Sequence, residues 1–97
     1  MRDYELVVAI SPEITDDNLP AIVDKVSRII TDRGGEVKEV QQWGRRRLAY
    51  PIKRFREANY LLTRIQMEPK AAKDVEAGLR LSEEVIRHLL VLQENRH

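Results

Sequence analysis

The sequence predicts an α+β fold of four antiparallel strands and two helices, in the order β-α-β-β-α-β. Three observations carry this. Tyr4 to Ile10 is made of β-formers and is apolar throughout after Glu5, the mark of a strand with neighbours on both sides. Leu19, Ile22, Val23, Val26, Ile29 and Ile30 fall at i, i+3, i+4, i+7, i+10 and i+11, one apolar stripe along a helix. From Glu36 to Met67, apolar and charged residues mix at the short period of strands, around a basic turn.

Ser11-Pro12 ends the first strand. Asp17 is the expected N-cap of the first helix, which places Pro20 in the first turn, where its missing N–H breaks no helical bond. Gly34-Gly35 stops that helix, because the residue after the last turn usually adopts the left-handed conformation. Glu36 to Ile52 reads as one long strand. Val37 and Val40 cannot share a face under strict alternation, so a bulge or a twist near Gly44 is expected. Three consecutive arginines and Pro51 suit a sheet edge, where charge and proline discourage pairing with other chains.

Residues 53–57 read as a basic hairpin loop and Asn59 to Met67 as the next strand. Leu61, Thr63, Ile65 and Met67 are expected to face the core, with Tyr60, Leu62, Arg64 and Gln66 opposite. Pro69 fits a helix N1 position, and Lys70 to Leu81 reads as a helix with Ala71, Ala72, Val75 and Leu79 inward. Gly78 in its middle costs about 1 kcal/mol relative to alanine and points to a close helix–sheet contact. Val85 to Leu92 is the last strand, and Gln93–His97 a short polar end. Two split β-α-β halves then assemble into a ferredoxin-like sheet of order 4-1-3-2, with both helices on one face and the other face open.

The chain of 97 residues, read as a single domain 1–97, is 42% hydrophobic and 34% charged, a globular composition. It has no cysteine, which excludes disulfides and thiolate metal sites. Its longest apolar run, Leu89–Leu92, is far below the roughly 20 residues that span a bilayer. A strand pattern from Arg2 onward leaves no room for a signal peptide, so the cytoplasm is the expected location.

The net charge of +1 conceals a concentrated cation. Residues 45–56 hold six Lys/Arg and no acid, leaving 11 basic against 16 acidic side chains in the other 85 residues. A polyanion responds to such concentration. Arg45, Arg46, Arg47, Lys53, Arg54 and Arg56 therefore stand as phosphate-backbone contacts. The competing reading is that arginines on an edge merely keep stray strands away, while the open face docks a protein. Trp43, on the same edge, suits either a core or a partner contact.

Enzymatic chemistry finds little support. The two histidines, His88 and His97, have no partner at metal-ligand spacing, and no glycine-rich loop opens a helix. The loop after the first strand, Ser11-Pro12-Glu13, is acidic and stiff, a poor phosphate cradle of the acylphosphatase kind. The third strand has one tyrosine and lacks the aromatic pattern with which RNA-recognition-motif domains stack bases. Asp16-Asp17 and Glu83-Glu84 are expected to serve caps and turns, ahead of any metal.

Trp43 followed by Gly44-Arg45-Arg46-Arg47-Leu48-Ala49-Tyr50-Pro51-Ile52 closely resembles the signature of the family of the sixth protein of the bacterial small ribosomal subunit. The likeness extends along the chain, through Met1-Arg2-Asp3-Tyr4-Glu5, Gly34-Gly35-Glu36-Val37 and Leu79-Arg80-Leu81 with Val85-Ile86-Arg87. The resemblance implies a ferredoxin-like fold without catalytic activity, cofactor, metal or small-molecule substrate. It implies binding to the central domain of 16S rRNA as a heterodimer with the eighteenth protein of that subunit. On the same ground, Trp43, Arg45, Arg46 and Arg47 are expected at the partner protein. Arg2, Tyr4, Lys53, Arg54, Arg56 and Arg87 are expected at the RNA. Two departures stand out: Ala58-Asn59 replaces a glycine common in the family before the third-strand tyrosine, and the long tail of some members is absent, implying fewer partner contacts.

Overall fold

Alternation along the first strand decides which side chains the helices cover. In the computed structural model, which describes residues 1–93, β1 (Arg2–Ile10) buries Tyr4, Leu6, Val8 and Ile10 on one face. Both helices, α1 (Leu19–Thr31) and α2 (Pro69–Leu81), lie against that face. The remaining strands are β2 (Glu36–Ile52), β3 (Phe55–Met67) and β4 (Val85–Gln93). All pairings are antiparallel in the order β2-β3-β1-β4, which is the predicted order read from the other end. The polar end expected at Gln93–His97 is described only at Gln93; the remainder lies outside the described residues.

The main core joins Leu6, Val8 and Ile10 to Val26 and Ile30 of α1, Leu61, Ile65 and Met67 of β3, and Val75 and Leu79 of α2. Thr63 lies among them as expected. Tyr4 belongs to this core as well, with 7% of its surface exposed. That removes it from the expected RNA contacts: even-numbered side chains of β1 point to the helices. Leu62 lies opposite the core as expected, level with Val7 on the open face, and is nonetheless buried there at 7% exposed.

Asp17 is not the cap of α1. Asn18 and Leu19 both donate their N–H to the Thr15 carbonyl, each at 3.0 Å, so the helix winds directly out of a turn. Asn18 already has φ −95° and ψ −12°, and no side chain caps the end. At the other end, Gly34 adopts φ +93°. Gly35 N–H donates to Ile30 O at 3.0 Å and Gly34 N–H to Thr31 O at 3.2 Å, the pair of bonds that closes a helix on a left-handed residue. Pro69 opens α2 as predicted, after an extended Glu68 (ψ 147°), the conformation favoured before proline. Gly78 does mark a close contact, but with α1: a Cβ there would lie 2.8 Å from Ile29 Cγ2 and from Arg33 Cζ.

The hairpin of β2 and β3 outruns the rest of the sheet. The last partner of β1 on β3 is Ile10 opposite Asn59, whereas β2 and β3 stay paired to Ile52 opposite Phe55. The loop expected at 53–57 is therefore only the two residues Lys53-Arg54, since Phe55 to Glu57 extend β3. Three register shifts bend β2, between Val37 and Glu39, between Gln42 and Gly44, and between Arg47 and Ile52. The expected irregularities are thus present. Each gives β2 surplus residues and increases its local twist.

Candidate nucleic-acid interface

The bent hairpin curls over one end of the open face and packs there. Leu48 and Ala58 are buried with Ala9 and Ile86, and Ile52, Phe55 and Tyr60 pack around them. This small cluster is separate from the main core and holds the basic segment to the sheet. Trp43 is the surplus residue of the second shift, next to Gly44 with φ +83°. The bulge turns its indole outward, 42% exposed, where Nε1 donates to Gln41 Oε1 at 3.2 Å.

The six cations of the hairpin divide into two groups. Arg45 and Arg54 are engaged by the chain itself. Arg45 Nη2 donates to Pro12 O at 3.2 Å and Nη1 to Glu57 Oε2 at 3.4 Å. Arg54 Nη2 bridges both carboxylate oxygens of Glu13, at 3.0 and 3.3 Å, with its guanidinium over the Phe55 ring at 4.7 Å. Both reach the loop after β1, whose acidity made it unfit for phosphate. That loop acts as a mooring for the hairpin. Each exposed ion pair is worth at most about 1 kcal/mol, so the effect is orientation more than stability.

Arg46, Arg47, Lys53 and Arg56 form the second group. They are exposed and make no ion pair with any described residue. Arg46 only donates Nε to Trp43 O, at 3.4 Å. Lys53 stands in the turn at φ +58°, a conformation costing about 1–2 kcal/mol in a residue with a Cβ. A two-residue hairpin nonetheless needs positive φ.

Arg87 joins this end of the molecule from β4. It lies level with Ala9, donates Nη1 to the Tyr50 hydroxyl at 2.7 Å, and has its guanidinium 5.8 Å from that ring's centre. Tyr50, 58% exposed, is a member of the site that sequence reasoning missed. Its partner is 37 positions away, and no local pattern announces it. A hollow of about 190 Å³ lies beside them, lined by Val7, Ala9, Tyr60, Arg87, His88 and Leu89. Arg2 is brought together with none of these. It pairs level with Met67 at the opposite end of β1, about 27 Å from Ile10 at the rise of an extended strand.

The open face is therefore polarised. Its far end carries Asp3, Glu5, Glu36 and Glu39, with Arg64 bridging Glu5 at 3.6 Å and Glu39 at 3.3 Å, and Lys38 on Glu36 at 3.1 Å. Elsewhere, His88 Nε2 lies 3.0 Å from Glu76 Oε1 and ties β4 to α2. Glu84 accepts from Lys25 Nζ at 2.8 Å and Ser82 Oγ at 2.9 Å; the lysine bond foremost holds its carboxyl below the ordinary value. Among the described residues no group of three or more His, Asp or Glu could hold a metal, and no helix is long and apolar enough to cross a membrane.

The class is a ferredoxin-like domain whose moored sheet hairpin carries a concentrated, outward-facing positive charge. Comparison with known proteins gives that class a family. The model of the family "Ribosomal protein S6" matches residues 3–92, and the chain belongs to that family. It is similar to the small ribosomal subunit protein bS6 of Moorella thermoacetica, 39% identical over 97% of this chain and 96% of the relative. It is likewise similar to the bS6 protein of Heliobacterium modesticaldum, 38% identical over 97% of this chain and 98% of that one. The crystal structure of 30S ribosomal protein S6 from Thermotoga maritima superposes with a TM-score of 0.87 at 28% identity, covering 95% of this chain and 87% of that one. The chain is thus a protein of the small ribosomal subunit.

Proposed function

We propose that the protein binds the central domain of 16S rRNA in the bacterial cytoplasm as a heterodimer with the eighteenth small-subunit protein, and that it catalyses nothing. The observation carrying this reading is the division of the hairpin cations. Arg45 and Arg54 orient the hairpin, and Arg46, Arg47, Lys53 and Arg56 remain available outside it. Cations fixed on a rigid edge displace counterions from phosphates and set the geometry of folded RNA without reading much sequence.

In this reading Lys53, Arg56 and Arg87 contact RNA, with Arg54 contributing through its exposed face. Trp43, Arg46 and Arg47 meet the partner protein, while Arg45 positions the edge. Arg2, at the far end of the sheet, serves a separate RNA contact. A near-neutral chain with a short cationic edge binds RNA weakly by itself, and linked binding of the partner adds affinity.

Titration of a central-domain 16S rRNA fragment, with and without the partner, tests both halves. Five neutralised phosphates give a slope of log K on log salt of about −3.5 to −4.5. Arg46→Glu with Arg47→Glu is expected to lower affinity for the partnered RNA at least about tenfold. Equal RNA affinity with and without the partner removes the heterodimer from the proposal. A salt-independent affinity removes the phosphate contacts, leaving the open face as a protein-docking surface.

A further inference from the structure

The two edges of the sheet are built in opposite ways. β2 carries two single-residue bulges, Pro51 and a run of arginines, all of which hinder strand addition. β4 has no proline, lysine or carboxylate over its nine residues, Val-Ile-Arg-His-Leu-Leu-Val-Leu-Gln. Its one irregularity lies at the very start, next to Val85. Among the described residues no strand pairs with its outer edge. Along it Leu89 is 58% exposed, and Val91 and Leu92 are 41% exposed each. A long, straight, apolar edge is a template for another strand.

We propose that two copies of this chain join through β4 into one continuous eight-stranded antiparallel sheet. The strand is self-complementary about a two-fold axis at Leu90. Leu89 of one copy then faces Val91 of the other, and Arg87 faces Gln93, each pair occurring twice and on one side of the sheet. On the helix side, Leu92 comes level with His88 and Leu90 with itself. Isologous pairing of this kind closes after two copies and leaves no growing end.

The polarised open face supports a second copy over an unrelated strand. On β1, Asp3 lies level with Gln93 and Glu5 with Val91, and Gln93 Nε2 donates to Glu5 Oε1 at 3.2 Å. The two-fold brings Arg87 of each copy into the row that holds Asp3 of the other, with Glu5 one position along. Reversal about the axis thus sets the basic end of one open face beside the acidic end of the other. The hairpins, on the opposite edge, stay outside the joint. The joint uses none of the hairpin cations; Arg87 alone belongs both to it and to the RNA reading.

Nine residues of strand bury a small interface, so the dimer is expected to form at tens of micromolar and to weaken with salt. Sedimentation equilibrium of the intact chain from about 5 to about 200 µM tests it. The expected weight-average mass rises from 11.3 kDa toward twice that value. Leu89→Lys is expected to weaken association at least tenfold, since it sets cations beside the joint, while Leu81→Lys, at a side chain 83% exposed outside the strand, leaves it unchanged. If circular dichroism shows Leu89→Lys unfolded, Val91→Lys takes its place and is read in the same way. A mass that stays at one chain at the highest concentration overturns the proposal. So does association that survives the lysine in β4, or that is lost with Trp43→Ala on the other edge.

Discussion

The core beneath the helices and the cluster beneath the hairpin do different work with similar residues. The first gathers twelve buried side chains from three strands and both helices, whereas the second has four, two of them alanines. Stability therefore resides on one side of the sheet and the working surface on the other. The hairpin can be reshaped with little cost to the fold, and the comparison can be tested in that form.

The largest effect should come from matched truncations. Ile65→Ala, at a side chain 1% exposed in the main core, is expected to cost about 3–4 kcal/mol and to lower the urea midpoint of the whole molecule. Leu48→Ala, 8% exposed in the small cluster, should cost about 2 kcal/mol or less. Its signature is faster hydrogen exchange confined to the hairpin beyond Arg45. Global unfolding of equal size in both variants would erase the distinction.

Lys53→Gly sharpens it with opposite signs. Relief of the positive φ is expected to raise stability by about 1 kcal/mol, less the entropy glycine adds to the unfolded chain. Loss of the cation should lower RNA affinity two- to several-fold and make the salt slope shallower by about one. Denaturant melts and titrations of the same sample measure both.

The smallest effect concerns Glu84, which is a member of neither cluster. Lys25 and Ser82 hold its carboxyl below the ordinary value of 4.5. A depressed acid contributes stability that is complete above its unfolded value and lost as pH falls through the folded one. The wild type is therefore expected to lose this contribution below about pH 4.5, and Glu84→Gln to lack it at pH 7. The difference at pH 7 should be under about 1 kcal/mol, because Lys25 is half exposed. Thermal melts of both proteins at pH 7 and pH 3 read it directly.

Much of this architecture is legible in the sequence. β2 runs from Glu36 to Ile52 as read, because Gly34-Gly35 and the basic turn bracket it with strong local signals. The inward face of β3 follows from simple alternation. Two differences lie at element ends, where backbone bonds a few residues away decide. Ile52 opposite Phe55 makes it strand and not loop, and a turn begun at Thr15 takes the place of an Asp17 cap. Gly78 marks a close approach to Ile29 and Arg33 and not to the sheet, since helical spacing does not say which neighbour is near. The site was legible as a charge cluster only. Which arginines are moored depends on Pro12 and Glu13, and no run of residues 44–56 contains that information.

The central position of β1 bears on synthesis. The first strand to leave the ribosome takes one neighbour from residues 59–67 and the other from 85–93. Until most of the chain has emerged, Leu6, Val8 and Ile10 have neither strand beside them nor α2 above them. A nascent chain halted before Val85 would hold its middle strand with one bare margin, ready to be captured by any extended segment nearby. Completion of β4 is therefore the event that covers that margin, and the synthesis of residues 68–93 separates it from the completion of β3.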